Sequence, residues 1–163
     1  MELVKTFMKR IELKTKCYEA LNSLDLEKGL KNLKVNSCLG VVSKSMLRQI
    51  LSLEVNHPYS FIFNLDDPEG AGSHWVAIGV KQNDVYYFDS YGDSYPPEEA
   101  KIKGLNVFRN LDVFQTPKDP PICGHLCLIF CLLFHITKGD AIRVLEEFKA
   151  KDTLIKYVCN DLI

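Results

Sequence analysis

Apolar residues change their spacing near residue 58, and the change divides the chain into a helical part and a mixed part. Val4, Met8, Ile11, Thr15, Tyr18 and Leu21 recur every three or four positions, while Lys5, Lys9, Lys14 and Lys16 occupy other faces. That period predicts an amphipathic helix over 2–21. A second short helix is expected over 25–33, broken near Gly29, followed by a turn at Cys38, Leu39 and Gly40. A third helix is expected over 45–53. It ends before His57 and Pro58, because proline disfavours α geometry in the residue preceding it. From Tyr59 the pattern becomes that of strands. Residues 60–65 form a short apolar run, 66–72 carry turn signals, and 75–80 and 85–89 read as a hairpin joined by 81–84. A loop over 91–97, a short helix over 98–103, a strand over 111–115 and a proline-rich connector over 116–121 follow. Residues 123–136 are the most apolar run of all, and a final helix is expected over 141–151.

The run 123–136 is too short for a membrane helix, which needs roughly 20 residues. It reads instead as a central buried helix. The order of elements implies an α+β fold, a small mixed sheet packed against that helix with further helices flanking it. One domain spans 1–163, with N-terminal helices over 1–57, sheet and central helix over 58–137, and a C-terminal helix over 138–163.

The hairpin has a chemical consequence. With four or two loop residues, Val80 faces Val85, Ile78 faces Tyr87, Val76 faces Asp89 and His74 faces Tyr91. His74 and Asp89 then become diagonal neighbours on one face, within reach of each other. A carboxylate there fixes an imidazole's tautomer and stabilises its protonated form, as a general base requires. The bland alternative is that both residues simply mark strand ends.

Cys123 follows Pro120 and Pro121 and opens the apolar helix. Partial positive charge and unpaired N–H groups at a helix start favour a thiolate. Gly124 lets another backbone approach closely, and the Cys123 N–H can stabilise an oxyanion. Gln115 can supply a second donor, or be an ordinary polar residue at a strand end. Cys127 and Cys131 lie one and two turns beyond Cys123. Leucine, isoleucine and phenylalanine surround them, so buried packing is the expected role and no metal site is expected despite His125 and His135.

Composition narrows the choice. Lysine and arginine number 20 against 21 acidic residues, which argues against a protein that coats nucleic acid. The charge is unevenly spread: residues 1–60 carry 10 basic and 6 acidic side chains, 61–100 carry 1 and 8, and 101–163 carry 9 and 7. Six cysteines, no CxxC pair and no apolar leader after Met1 point to free thiols in a reducing compartment.

The ordered set Gly72-Ser-His74-Trp75, Tyr87-Phe-Asp89-Ser-Tyr-Gly92, Gln115 and Cys123-Gly-His-Leu-Cys127 resembles the adenovirus-type, adenain-like cysteine proteases. It is most similar to those of virophages and Maverick/Polinton elements, with SUMO- and ubiquitin-like-specific peptidases as wider relatives. The resemblance runs from about Cys38 to Phe134 and includes Leu39-Gly-Val-Val-Ser43. It implies a papain-like, adenain-type fold with His74 as general base, Asp89 as orienting acid, Gln115 as oxyanion donor and Cys123 as nucleophile. Asp89 stands where adenain carries Glu, as in the SUMO-type relatives. Asp93, beyond the predicted strand, is the poorer candidate. Trp75, expected beside the imidazole, and Gly124 are the expected substrate-binding residues.

The implied activity is a thiol endopeptidase cutting after small residues such as Gly in viral capsid or core precursors. Asp66, Asp67 and Glu69 border the site and would favour basic residues in the substrate. The implied setting is the virion and the infected-cell cytoplasm or nucleus, and the expected state is a monomer off the membrane. No cofactor is required by the chemistry; the resemblance admits a DNA or peptide activator, although the balanced charge offers no strong DNA-binding surface. Two other readings use the same residues differently. One is a SUMO- or ubiquitin-deconjugating isopeptidase, and the other a non-enzymatic interaction protein with an inert Cys123.

Overall fold

Five strands form one mixed sheet in the order β1-β2-β3-β4-β5: Cys38–Val42, Tyr59–Asn64, Trp75–Lys81, Asp84–Phe88 and Asn106–Arg109. The three central strands run antiparallel to one another, and β1 and β5 add in parallel at the two edges. The computed structural model describes residues 19–65, 74–92 and 94–162. The helix predicted over 2–21 lies outside these residues except for 19–21, which are not helical. The loop predicted over 66–72 and Asp93 also lie outside them.

Strand alternation sends side chains into two cores. Trp75, Ala77, Ile62 and Phe88 face one cluster, built on the long helices. Phe61, Phe63, Val76, Ile78, Val80, Val85 and Tyr87 face the other, closed by the short helix α2 (Leu47–Leu51) and Ala100. The helices of the first layer are α1 (Ser23–Asn32), α3 (Cys123–Ile136), α4 (Ala141–Glu147) and α5 (Lys151–Leu162). Helix α3 spans the residues its apolar run predicts, and twelve of them, Cys123 to Phe134, are buried. No helix among the described residues is long and apolar enough to cross a membrane.

Five sequence expectations are corrected. Helix α1 continues through Gly29, which is buried beside Leu26 and Leu30. A mid-helix glycine costs only about 1 kcal/mol. The helix start is held by a capping box: Asp25 N–H donates to Asn22 Oδ1 at 2.9 Å and Asn22 N–H to Asp25 Oδ2 at 3.0 Å. Cys38, Leu39 and Gly40 begin β1 and are no turn; Gly40, at φ +95°, marks an irregularity in its pairing with β2. The Val41 N–H donates to Glu27 Oε1 at 2.7 Å across that irregularity.

The helix expected over 98–103 is a single 3-10 turn, Glu98–Ala100. Residues 111–115 form no strand, because the Phe114 and Gln115 N–H groups both donate to the Ser90 carbonyl, outside any ladder. The edge strand is Asn106–Arg109, paired from Asp84↔Asn106 to Tyr87↔Arg109. The last helix breaks at the 3-10 turn Phe148–Ala150, and α5 extends beyond the predicted end.

Packing between sheet and α3 is close at Gly79. A Cβ there would lie 2.7 Å from Phe134 Cε2 and Cζ, in a ring that is 1 % exposed. We predict that Gly79→Ala destabilises the fold by about 1–3 kcal/mol, read as a lower urea midpoint. Adding Phe134→Leu should recover part of that loss, and an unchanged midpoint in Gly79→Ala would refute the overpacking.

Candidate active site

His74 immediately precedes β3 and Asp89 immediately follows β4. The hairpin closes through Gln82 and Asn83, with Lys81↔Asp84, Val80↔Val85, Ile78↔Tyr87 and Ala77↔Phe88 paired as the register arithmetic requires. The two-residue loop, with Gln82 at φ +54°, sets that register. The predicted diagonal contact forms: His74 Nε2–H donates to Asp89 Oδ1 at 2.7 Å. The imidazole is 18 % exposed and the carboxylate 3 %. The ring also meets Cys123, whose sulfur accepts a hydrogen bond from the charged imidazole. With Nε2 committed to Asp89, Nδ1 is the nitrogen available to sulfur.

Cys123 is the first residue of α3, and Ile122, the N-cap, gives no side-chain cap. The helix therefore directs the positive end of its dipole at the residue carrying the thiol. Cys123 is 6 % exposed and so nearly buried. Cys127 and Cys131 are fully covered, and burial pushes both thiols well above their ordinary pKa.

Asp89 is anchored on several sides. The Asn110 side chain continues the strand pairing where the ladder ends. Its Oδ1 accepts from the Asp89 N–H at 2.9 Å, and its Nδ2 donates to the Asp89 carbonyl at 2.6 Å. The Tyr91 N–H donates to Asp89 Oδ1 at 3.0 Å, and the Ser94 hydroxyl donates to Oδ2. Gly92, at φ +70°, closes the turn with its N–H on the Asp89 carbonyl.

These contacts decide the charges. Burial disfavours a charged imidazole, yet its hydrogen bonds with Asp89 and Cys123 and the electrostatic attraction of both outweigh it and raise the His74 pKa to about 9. Burial likewise opposes ionisation of Asp89, but His74, Ser94 and the Tyr91 N–H outweigh it and hold the carboxyl below its ordinary value.

Gln115 sits in the extended segment after Asn110, and not at a strand end as expected. Its side chain is 1 % exposed. The Ser90 hydroxyl donates to its Oε1 at 2.8 Å, and its Nε2 donates to the Pro120 carbonyl at 3.2 Å. One of two amide protons is thereby used, beside the turn that starts α3.

Trp75 and Gly124 have internal partners. The Trp75 Nε1–H donates to the Leu21 carbonyl at 2.8 Å. A Cβ on Gly124 would meet Leu21, Leu26 and Trp75 at 3.2–3.3 Å, so the close approach it permits is internal. The aromatic ring against the imidazole is Tyr91, with centroids 4.8 Å apart. Sequence reasoning missed Ser90, Tyr91, Ser94 and Asn110. The Asp89-to-Gly92 turn was open to it, since Asp commonly bonds the backbone two residues on. Asn110 is distant in sequence and carried no signal.

No family model matches the sequence, and a search of curated proteins finds no match. Solved structures do match. Two structures of the ASFV pS273R protease align at TM-scores of 0.58 and 0.59, with 16 % and 14 % identity. They cover 86 % of this chain and 67 % and 66 % of that one, so the chain spans about two thirds of that protease's length. The SUMO protease Ulp1 with its catalytic cysteine oxidised aligns at 0.48, with 10 % identity over 99 % of this chain and 94 % of that one, too weakly to bear on the fold. The α+β fold is therefore the one seen in the ASFV protease.

The raised His74 value has a defined sign. The imidazolium stabilises the fold fully below its ordinary 6.5, and that contribution is lost as pH rises through about 9. Asp89 acts oppositely: its contribution is present above its ordinary 3.8 and is lost as pH falls through its depressed value. In Asp89→Asn we predict that the His74 midpoint, followed by histidine NMR, falls from about 9 toward 6.5. The loss of stability between those pH values should shrink with it. A midpoint that stays near 9 would refute the role given to Asp89.

Proposed function

We infer that the chain is a cysteine endopeptidase. The observation that carries this reading is one imidazole bonded on one side to a buried carboxylate and on the other to a thiol at a helix start. An inert core cysteine needs neither partner. His74 holds the Cys123 proton as an imidazolium beside a thiolate, and the sulfur attacks the peptide carbonyl carbon. The Cys123 N–H and the second Gln115 amide proton stabilise the oxyanion. His74 then returns the proton to the leaving amine as the C–N bond breaks, leaving a thioester. Water gives a proton to His74, its oxygen attacks the thioester, and the C–S bond breaks to release acid and thiol. Asp89 stays ionised throughout and holds the imidazole in its working orientation.

The adenain-like order of His74, Asp89, Gln115 and Cys123 supports cleavage after small residues such as Gly. A viral protease with this fold, and the adenain-like order of His74, Asp89, Gln115 and Cys123, favour capsid or core precursors as substrates.

The chain is expected to cut its co-encoded capsid precursor at a few sites, mapped by N-terminal sequencing. Cys123→Ala should abolish cutting, and Gln115→Ala should lower kcat by about 100- to 1,000-fold. Identical fragments from wild type and Cys123→Ala would overturn the peptidase reading. Release of fluorophore from SUMO or ubiquitin conjugates, with the precursor left intact, would make the chain a deconjugating enzyme instead.

A further inference from the structure

Asp89 is held by more than its histidine, and the additional contacts run inward, away from Cys123. Tyr87 precedes it by two residues on β4 and is fully buried, its ring 6.4 Å from that of Phe63 in the second core. The Tyr87 phenol oxygen lies 2.9 Å from Ser94 Oγ, and the Ser94 hydroxyl donates to Asp89 Oδ2. A carboxylate only accepts, and a serine hydroxyl has a single proton. The direction of the chain is therefore fixed: Tyr87 O–H donates to Ser94 Oγ, Ser94 O–H to Asp89 Oδ2, and His74 Nε2–H to Asp89 Oδ1. The Ser94 backbone is pinned as well. Arg109, paired with Tyr87 across β4 and β5, donates from Nη1 to the Ser94 carbonyl at 3.4 Å. Its guanidinium lies 4.2 Å from the centre of the Tyr95 ring.

We propose that Tyr87 and Ser94 are positioning residues of this site, a one-way hydrogen-bond relay that fixes the Asp89 carboxylate against His74 and keeps it ionised. The proposal rests on the reading of Cys123 as a nucleophile served by His74. A carboxylate engaged through one oxygen can turn about its last side-chain torsion. Engaging both oxygens from opposite sides removes that freedom. Each donor to the anion also favours ionisation, and a serine that accepts from a phenol donates more strongly in turn.

The relay has consequences separable from those of its neighbours. Cys123 and Cys127 face the Asp89–His74 pair from α3 and Tyr91 from the turn, while Tyr87 of β4 and Arg109 of β5 reach Ser94. Tyr87 reaches the carboxylate through the Ser94 hydroxyl, whereas Arg109 reaches only the Ser94 carbonyl. Removing the hydroxyl therefore interrupts the relay and leaves the other groups in place.

The test uses the full chain with Ser94→Ala, Ser94→Thr and Tyr87→Phe, each compared with wild type by thermal melting. Two profiles are recorded against pH: the rate of Cys123 alkylation by iodoacetamide, and kcat and KM on a peptide carrying a mapped cleavage site. In Ser94→Ala the acid limb of both profiles should move up by about one pH unit. Its kcat should fall about tenfold with KM nearly unchanged. Ser94→Thr, which keeps a hydroxyl, should restore the wild-type limb, and Tyr87→Phe should shift it the same way by less. An acid limb in Ser94→Ala that coincides with wild type would overturn the relay, as would failure of Ser94→Thr to restore it at equal melting temperature. Wild type that alkylates at Cys123 but cuts no peptide would refute the peptidase reading, and the alkylation profile alone would then decide the relay.

Discussion

Burial of helix α3 is the constraint on which the rest of the structure depends. Twelve consecutive residues, Cys123 to Phe134, are covered, so the helix has no free face along which to turn or slide. Its first residue carries the thiol, and any displacement of the core would displace the sulfur. The opposite component of the site is tied to the same core. Phe130 of α3 stacks on Phe88 with centroids 4.9 Å apart, and Phe88 packs at a tilt against Phe148 and Phe114 at 5.1 and 5.8 Å. Such pairs contribute about 0.5–1.5 kcal/mol each beyond their burial. The next residue after Phe88 is Asp89. One aromatic cluster therefore sets both the position of the helix that carries Cys123 and the point at which Asp89 leaves the sheet.

A charged pair in this setting is expensive. Removing a carboxylate and an imidazolium from water costs several kcal/mol per ion, and mutual attraction alone seldom restores it. Asp89 meets that cost by accepting from His74, the Tyr91 N–H and Ser94, while Asn110 satisfies the backbone on both sides of its Cα. The density of polar contacts around one residue follows from the requirement that a nearly buried carboxylate remain ionised. His74 is treated differently: part of its ring stays exposed, which leaves a route for proton exchange.

Much of this was legible in the sequence wherever a period or a register could be counted. The apolar run marks both ends of α3, and the hairpin register places His74 beside Asp89. Local sequence misled where tertiary contact overrode it. Gly29 looked like a helix breaker, but its burial beside Leu26 and Leu30 keeps the helix continuous. Gly40 looked like a turn, yet its positive φ serves an irregularity inside a parallel edge strand. Leu111 and Val113 alternate like a strand, but they point outward at 74 % and 58 % exposure, while the true edge strand begins with Asn106 and ends with Arg109. Asn110 could not be read at all, because its function is to pair with a backbone 21 residues away.

The segment that misled is also the one that joins the two halves of the site. The Ser90 carbonyl accepts from the N–H groups of both Phe114 and Gln115, and the Ser90 hydroxyl donates to Gln115 Oε1. A carboxamide has two nearly superimposable orientations, and this arrangement selects one of them. The oxygen must face the serine proton, and the NH2 group must face the Pro120 carbonyl, which can only accept. Ser90 is bonded covalently to Asp89, and Pro120 also accepts from the Ile122 N–H at the start of α3. The amide is thus fixed at one end to the residue beside the acid and at the other to the turn that presents the thiol. Donors that stabilise a developing oxyanion are effective when they need no reorganisation as charge appears. An amide clamped between these two points is held in one orientation before any charge appears, as the oxyanion role proposed for it requires.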